Sequence, residues 1–163
     1  MILYLCRHGI AEDAGAGQSD ADRALTPEGI KKFRTAAKGF AELEPEVSHI
    51  LTSPLLRARQ TAEILVDALE RDKKKVELVV CNALGPGANL RGLLGQLHDL
   101  RATGAVAVGH EPSMSAFVGE LCFGTAGRCA MKKGAIAAID LDERQRTGML
   151  LYLLQPGQLR RLA

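Results

Sequence analysis

The stretch LYLCRHGIAED, residues 3–13, decides how the chain begins to fold. Its apolar first half is typical of a short buried β-strand, which we place at residues 2–6. The strand stops at Arg7-His8-Gly9, so a cation, an imidazole and a glycine follow its last apolar residue. We therefore predict a buried first strand whose carboxyl end carries residues able to do chemistry.

A loop and a helix follow this strand. The segment AEDAGAGQSDADRA (11–24) is rich in Gly, Asp and Ser and indicates a surface loop. Thr26 can then cap a helix, and Pro27 suits its first turn. Apolar residues recur at helical spacing on one face, at Ile30, Phe33, Ala37 and Phe40. We predict a helix from Pro27 to about Glu42.

The same strand-to-helix pattern occurs twice more. The strand VSHILT (47–52) is followed by Ser53 as a predicted cap and Pro54 as a predicted first-turn residue of the helix LLRARQTAEILVDAL (55–69). Later, AVAVGH (105–110) is a predicted strand, and a helix begins behind Pro112 in EPSMSAFVGELCF. The apolar residues predicted to face inward from this helix are Met114, Phe117, Val118 and Leu121.

Between these units lie the charged segment RDKKK (71–75), the β-type run VELVV (76–80) and the turn-rich NALGPGAN (82–89). A helix with core leucines comes next, at Leu90, Leu93, Leu94, Leu97 and Leu100. At the end of the chain, GAIAAIDL and GMLLYLL, separated by DERQRT, predict a hairpin. Strand and helix alternation followed by a hairpin implies an α/β fold, a three-layer sandwich with a mostly parallel central sheet and a C-terminal antiparallel hairpin.

Composition limits the classes of protein that fit. A chain of 163 residues with 47% hydrophobic residues predicts one domain over residues 1–163. The formal charge of +2 argues against a nucleic-acid or membrane partner and favours small anions. We do not expect the short opening MILYLC to act as a signal peptide, and no apolar run in the sequence is long enough to predict a membrane span.

The four cysteines form no CxxC or Cys/His cluster and predict neither a zinc site nor a disulfide framework, so we expect a reducing, cytoplasmic setting. They are Cys6, Cys81, Cys122 and Cys129. Cys6 lies in an apolar strand, where a buried inert thiol is favoured over a reactive one.

Three predicted strand ends carry polar side chains. They are Arg7-His8-Gly9, the stretch from Ser53 to Arg57, and Gly109-His110-Glu111. Because ligands of open parallel sheets bind beyond the carboxyl ends of the strands, two arginines and two histidines should meet at one edge. Each residue alone has a structural explanation, but their joint occurrence at three strand ends favours a site. His49 and His98 lack such neighbours and are predicted to be surface or structural residues.

This set of residue types suits phosphoryl transfer, in which the protein must hold an oxyanion and spread its charge. Arg7 and Arg57 can clamp phosphate oxygens bidentately, and the helix start near Ser53 adds backbone donors. Gly9 lets the backbone pass close to the anion. Like charge from the arginines should lower the pKa of His8 below about 6.5, keeping a lone pair available for nucleophilic attack. His110 can donate a hydrogen bond to a phosphate oxygen. The predicted substrate-binding residues around these four are Gly9, Ser53, Arg23 and Glu111.

Other chemistries fit less well. His110-Glu111 begins an HExxH pattern, but position 114 is Met, so a zinc-protease motif is excluded. The chain also lacks GxSxG, GxGxxG and GxxxxGK[ST], the commonest signatures of serine hydrolases, dinucleotide-binding and nucleotide-binding proteins.

The chain resembles the histidine phosphatase superfamily, also called the phosphoglycerate mutase-like fold, along essentially its whole length. The RHG after the first strand, LTPEGIKKF (25–33), SPLLRARQTAEIL (53–65) and VGHEPSMS (108–115) match the motifs of that family in order. The short chain and the GHEP form are most similar to its SixA branch, phosphohistidine phosphatases that act on bacterial signalling or phosphotransfer proteins.

The resemblance implies a metal-independent hydrolase without a cofactor. His8 would accept the phosphoryl group, Arg7 and Arg57 would clamp it, and His110 would be the second pocket histidine. Water would then release phosphate from His8. By the same resemblance, Arg23 corresponds to an arginine that the SixA branch places before its LT. Contact of Arg23 with substrate and a solvated loop arginine are equal alternatives.

One departure from the larger family members bears on the substrate. They carry a glutamate that protonates an alkoxide leaving group, whereas NALGPGAN (82–89) is short and contains no acid. A phosphohistidine expels imidazole, whose conjugate acid has a pKa of roughly 6.5 and needs far less protonation. Glu12, Asp13 and Glu111 are the nearest alternative acids in sequence, and we expect none of them to serve.

The sequence therefore predicts a cytoplasmic, monomeric phosphatase that dephosphorylates phosphohistidine on a signalling or phosphotransfer protein. A small-molecule phosphomonoesterase or mutase of the same superfamily is the first alternative. A phosphate or phosphoprotein binding module without turnover is the second, although a pure binder has no need of a nucleophile.

Overall fold

The computed structural model describes residues 1–70, 75–127, 129–142, 144 and 146–163. Most of the charged segment at 71–75 and part of the predicted hairpin turn lie outside the described residues. The strands are β1 (Ile2–Arg7), β2 (His49–Thr52), β3 (Glu77–Val80), β4 (Gly104–Gly109), β5 (Ile136–Asp142) and β6 (Thr147–Leu154). The helices are α1 (Pro27–Ala41), α2 (Leu56–Leu69), α3 (Leu90–Asp99), α4 (Ser113–Phe123) and the short α5 (Pro156–Leu159), with 3-10 turns at Asp20–Asp22 and Asn82–Leu84.

The six strands form one sheet in the order β3-β2-β4-β1-β5-β6. Neighbouring strands among the first four are parallel, whereas β5 is antiparallel to both β1 and β6. Arg7 pairs with Gly109, and Thr52 pairs with Val108, so β1, β2 and β4 end at the same edge. The mostly parallel sheet with its C-terminal hairpin is thus confirmed.

Helices cover both faces of this sheet. Along β1, Tyr4 and Cys6 point into one apolar cluster while Leu3 and Leu5 point into the other, as the two-residue period of a strand requires. The first cluster also holds buried residues of α1, α2 and α5, and the second holds those of α3 and α4. The three-layer arrangement is therefore confirmed. Within the described chain, the helices are too short or too polar to cross a membrane.

Helix α1 begins as predicted. The Thr26 side chain accepts a hydrogen bond from the Gly29 backbone N–H at 2.9 Å, and Pro27 occupies the first turn. A Cβ at Gly29 would collide with the Ile10 carbonyl. Only glycine therefore allows α1 to lie this close to the loop that follows His8.

The predicted cap of α2 was wrong. The helix begins at Leu56 with Leu55 as its N-cap, not at Ser53-Pro54. The reason is that the Ser53 N–H still bonds the Val108 carbonyl at 3.0 Å, which holds Ser53 against β4. The chain must leave the sheet edge before it can coil, so the Ser53 hydroxyl faces the space beyond the strands.

Candidate active site

The two histidines predicted to work together lie side by side. His8 follows β1 and His110 follows β4, and these strands are parallel neighbours. Their ring centroids are 5.0 Å apart with the planes inclined by 55°. The His8 N–H also bonds the Gly109 carbonyl at 3.0 Å, which continues the ladder past the last paired residues. The sheet register thus determines the distance between the two imidazoles.

The tautomer of His8 follows from one contact. Its Nδ1 lies 2.7 Å from the carbonyl oxygen of Gly9. A carbonyl only accepts, so Nδ1 must carry the proton in this hydrogen bond and Nε2 must carry the lone pair. His8 is only 7% exposed, which keeps the ring in this orientation. The side chain therefore presents a defined nucleophilic nitrogen.

Burial keeps both imidazoles neutral. It lowers the pKa of His8 to about 3 against the opposing effect of the hydrogen bond to Gly9, and His110, Arg57 and Arg7 lower the pKa further by smaller amounts. It likewise lowers the pKa of His110 to about 4, assisted by the charge of Arg57. The direction agrees with the expectation for His8, but the leading cause is loss of hydration and not the arginines.

Arg57 is held by a carboxylate that the sequence analysis did not single out. Its Nη1 donates to the Asp20 carbonyl at 2.7 Å and its Nη2 to Asp20 Oδ2 at 3.0 Å. Arg23 donates to the other carboxylate oxygen at 2.7 Å. Asp20 therefore bridges two guanidinium groups, and their hydrogen bonds, first from Arg23 and then from Arg57, lower its pKa. The only sequence signal was the three-residue spacing of Asp20 and Arg23, which is too common to be informative.

Arg7 is anchored from the opposite side of His8. Its Nη1 donates to the Met131 carbonyl at 2.7 Å. Its Nε is buried and has no hydrogen-bond partner among the described residues. The guanidinium is thus oriented by one contact while keeping a donor for a further acceptor.

Gly9 is tied to α2 through Thr61, a second residue that the sequence analysis missed. The Gly9 N–H donates to Thr61 Oγ1 at 3.0 Å, and that hydroxyl donates to the Arg57 carbonyl at 2.6 Å. Thr61 is fully buried. A Cβ on Gly9 would lie 3.3 Å from Leu25 Cδ2, so the position is also tightly packed. Thr61 therefore connects the backbone beside His8 with the helix that carries Arg57.

Ser53 contacts the second histidine. Its Oγ lies 2.8 Å from His110 Nε2, and it also accepts from the Leu55 N–H at 3.3 Å. His110 Nδ1 is buried without a hydrogen-bond partner in the described part of the chain. Ser53, predicted as a substrate-binding residue, thus orients the His110 ring in this structure.

The predicted acids are positioned differently from the histidines. Glu111 is half-buried, and one of its carboxylate oxygens accepts from the Ser115 hydroxyl. Glu12 and Asp13 are exposed, and Glu12 uses its carbonyl to accept from Arg23 at 2.7 Å. The stretch 82–89 contains a 3-10 turn and no acid. The carboxylate that the contacts do bring to the arginines is that of Asp20.

The remaining polar candidates lie elsewhere. His49 bonds Ser48 and lies 3.5 Å from Glu77, and His98 is exposed. Cys6 is fully buried, and burial raises the pKa of its thiol, as expected for an inert cysteine. Within the described ranges, no three His, Cys, Asp or Glu side chains are grouped so that they could hold a metal ion.

Comparison with known proteins points to one family. A sequence model of the histidine phosphatase superfamily (branch 1) matches residues 3–83. The phosphohistidine phosphatase SixA of Escherichia coli is 30% identical over 143 residues, which cover 88% of this chain and 87% of that protein. An uncharacterised protein of Picosynechococcus is 36% identical, and the match covers 85% of this chain and 84% of the relative.

A solved structure agrees with these relatives. The protein histidine phosphatase SixA complexed with tungstate superposes with a TM-score of 0.82 at 29% sequence identity. The superposition covers 98% of this chain and 99% of that one. Similarity therefore extends over the sheet, both helical layers and the strand ends that carry the histidines.

Proposed function

The chain belongs to the histidine phosphatase superfamily, and on that premise we propose that it is a phosphohistidine phosphatase acting on a signalling or phosphotransfer protein. The observation that carries the proposal is the state of His8. Its Nδ1 proton is engaged by the Gly9 carbonyl, its pKa is lowered to about 3, and its Nε2 is left as a neutral nucleophile. Such a nitrogen can accept a phosphoryl group at any pH near neutrality.

In the first step, the Nε2 lone pair of His8 attacks phosphorus. A new P–Nε2 bond forms, and the bond between phosphorus and the substrate imidazole breaks. The electron pair returns to the substrate nitrogen, which leaves as neutral imidazole when its other nitrogen is protonated. His8 keeps its Nδ1 proton, and the hydrogen bond to Gly9 stabilises the positive charge of the phosphorylated ring.

In the second step, water attacks the phosphorus atom of phosphorylated His8. The P–Nε2 bond breaks and its electron pair returns to Nε2, while one proton of the attacking water passes to a phosphoryl oxygen, so that dihydrogen phosphate and neutral His8 form. The low pKa of His8 favours this departure, because the neutral ring is the stable form in its buried position.

Two buried nitrogen atoms support phosphate binding at this site. Arg7 Nε and His110 Nδ1 have no hydrogen-bond partner among the described residues. Arg7 Nε is a donor, and His110 Nδ1 is one in the tautomer whose Nε2 accepts from the Ser53 hydroxyl. A buried donor without an acceptor costs about 1–3 kcal/mol, so phosphoryl oxygens would stabilise the site by accepting from both. Arg57 would add a bidentate donor once it exchanges the Asp20 carboxylate for phosphate.

The carboxylate nearest the arginines supports a phosphorus–nitrogen substrate over an ester. An ester expels an alkoxide and needs a protonated acid beside the leaving oxygen. The pKa of Asp20 is lowered by Arg23 and Arg57, which makes it a poor proton donor near neutral pH. Imidazole leaves without strong acid assistance, which is why phosphohistidine suits the site better.

The test is a paired turnover assay without added metal, comparing a phosphohistidine peptide with a panel of small phosphate esters. We expect release from phosphohistidine to be strongly preferred and to fall at least about a thousandfold in His8→Ala. The exposed His98→Ala protein, assayed in parallel, should keep its activity.

Two results would contradict the proposal. Hydrolysis that persists in His8→Ala would exclude the covalent step. A preference for esters would mean that a carboxylic acid reaches the leaving group, and the first alternative function would then apply.

A further inference from the structure

A groove of about 400 Å³ opens directly beside the nucleophile. Both chain neighbours of His8, Arg7 and Gly9, line it. Its other walls are formed by α1, by Lys132 and Lys133 ahead of β5, and by α5. The groove therefore adjoins the histidine, and Arg7 is the one residue of the proposed phosphate clamp among the described residues that line it.

The groove is strongly basic. Besides Arg7, it is lined by Lys32, Lys132, Lys133 and Arg160, and the described residues lining it include no Asp or Glu. Lys32 forms an exposed ion pair with Glu28 on the same helix. Because the whole chain carries a formal charge of only +2, this concentration of cations is a local feature.

The groove is also partly apolar. Ile10, Phe33 and Pro156 contribute to its lining. A purely polyanionic backbone would leave these side chains without complementary contacts, whereas a peptide can offer both carboxylates and apolar side chains. The composition of the groove therefore favours a protein segment.

A phosphoryl group does not account for all of these cations. It carries about two negative charges at neutral pH, which Arg7 and Arg57 can balance. The four outer cations lie on α1, on the segment before β5 and beside α5, whereas Arg57 lies on α2. Apart from Lys32, which pairs with Glu28 at the surface, these cations are thus available for a partner that extends beyond the phosphate.

We propose that this basic groove docks an acidic segment of the substrate protein, next to its phosphohistidine. The inference rests on the proposed function for the identity of the partner as a phosphohistidine protein. Carboxylates of the segment pair with Lys32, Lys132, Lys133 and Arg160, while its apolar side chains pack on Phe33 and Pro156. Docking places the phosphorylated imidazole over His8. It also provides selectivity for the substrate protein, which a pocket surrounded by short loops does not provide by itself.

The experiment uses three matched histidine peptides, phosphorylated chemically with phosphoramidate, whose flanking residues are acidic, neutral or basic. kcat/KM is measured for the unaltered protein, for Lys132→Glu/Lys133→Glu and for the milder Lys132→Gln/Lys133→Gln. The control is Lys38→Glu/Lys75→Glu. Lys38 lies near the end of α1 and Lys75 just before β3, and neither of them lines the groove. Both Glu double variants change the formal net charge from +2 to −2.

We expect the unaltered protein and the control to prefer the acidic peptide over the neutral one by about tenfold at low salt, with the basic peptide poorest. Lys132→Glu/Lys133→Glu should lose or reverse this preference, and Lys132→Gln/Lys133→Gln should reduce it. Hydrolysis of free phosphoramidate should be equal in all four proteins, because that substrate does not reach the outer cations.

The inference is overturned if the acidic preference is absent, or if it survives in both lysine variants. It is also overturned if folded variants lose phosphoramidate hydrolysis, because the lysines would then act on the phosphoryl group. Fluorescence anisotropy with the unphosphorylated acidic peptide tests docking without turnover, so failure of the proposed function and failure of docking are separable. A single-stranded oligonucleotide of equal charge is tested in the same way. If it bound more tightly than the acidic peptide and the binding depended on Lys132, the partner of the groove would be a nucleic acid and not an acidic protein segment.

Discussion

Asp20 and Arg57 form a two-point contact in which the guanidinium donates to both the backbone carbonyl and the carboxylate of the aspartate, at 2.7 and 3.0 Å. The arginine is buried, with 8% of its side chain exposed, whereas 59% of the aspartate side chain is exposed. Asp20 thus occupies the guanidinium donors of Arg57 that a phosphoryl group would use. Asp20 itself lies in an exposed 3-10 turn. Phosphate binding at Arg57 must compete with this contact.

Asp20→Asn should therefore tighten binding of anions. Ion pairs of this exposure contribute about 0.2–1 kcal/mol, so the apparent affinity for tungstate should rise by a factor of about 1.4 to 5. Competitive inhibition of turnover by tungstate measures the change. Asp22→Asn, in the same 3-10 turn, is the matched control and should leave the inhibition constant unaltered. Weaker inhibition in Asp20→Asn would show that the carboxylate orients Arg57 for the anion instead of competing with it.

Arg57→Ala should weaken tungstate binding by about ten- to a hundredfold, because hydrogen bonds to charged groups are worth about 1.5–3 kcal/mol each. Arg59, an exposed arginine two residues along α2, supplies the control Arg59→Ala. Isothermal titration with tungstate distinguishes them. Equal affinities in the two variants would show that the proposed clamp is misplaced.

The stability of the protein should depend on pH through His8. The unfolded chain binds a proton at this residue below about pH 6.5, whereas the folded chain does so only near its lowered pKa of about 3. Above about pH 6.5 the His8 ring is neutral in both states, and the fold keeps its full stability with respect to this residue. As pH drops from there toward 3, only the unfolded chain takes up the proton, so the free energy of unfolding falls. His8→Gln should flatten this decline by up to about 1.4 kcal/mol per pH unit.

Urea unfolding at pH 7 and at pH 5 measures the difference, since ordinary carboxylates remain largely ionised over that range. His98→Gln, at an exposed position, should decline in parallel with the unaltered protein. If the free energy of unfolding of His8→Gln also fell in parallel with that of the unaltered protein, the His8 imidazole would have to take up a proton in the folded state, contrary to its buried environment.

Thr61→Val should both destabilise the fold and slow turnover. The change preserves shape but leaves the buried Gly9 N–H without its acceptor, at a cost of about 1–3 kcal/mol in the free energy of unfolding. It also frees the backbone that orients His8, so kcat should fall more than KM changes. Thr61→Ser retains the hydroxyl and should restore both properties. If the folded Thr61→Val protein kept an unchanged kcat, Thr61 would have only a structural role.

Much of the architecture could be predicted because its signals are local. The apolar run of β1, the Thr26 cap and the spacing of Phe33 and Phe40 each reflect a pattern or a cap that a few neighbouring residues establish. The predicted cap at Ser53 failed because a long-range bond to Val108 overrides local preference. Helix α5, only four residues long, gave no periodic signal and was not predicted.

The sequence by itself determined that Arg7, His8, Arg57 and His110 belong to one edge of a parallel sheet, because strand ends are readable from apolar runs and parallel strands end together. Tertiary structure decided which His8 nitrogen holds the lone pair, how Thr61 supports Gly9, and that Asp20 covers Arg57. The Thr61 and Asp20 contacts join atoms within 3.0 Å that belong to segments far apart in the chain, and the His8 contact, although made to the adjacent Gly9, depends on how the buried ring is oriented. No local period or propensity encodes such contacts, since they arise only when the loops are folded against the sheet.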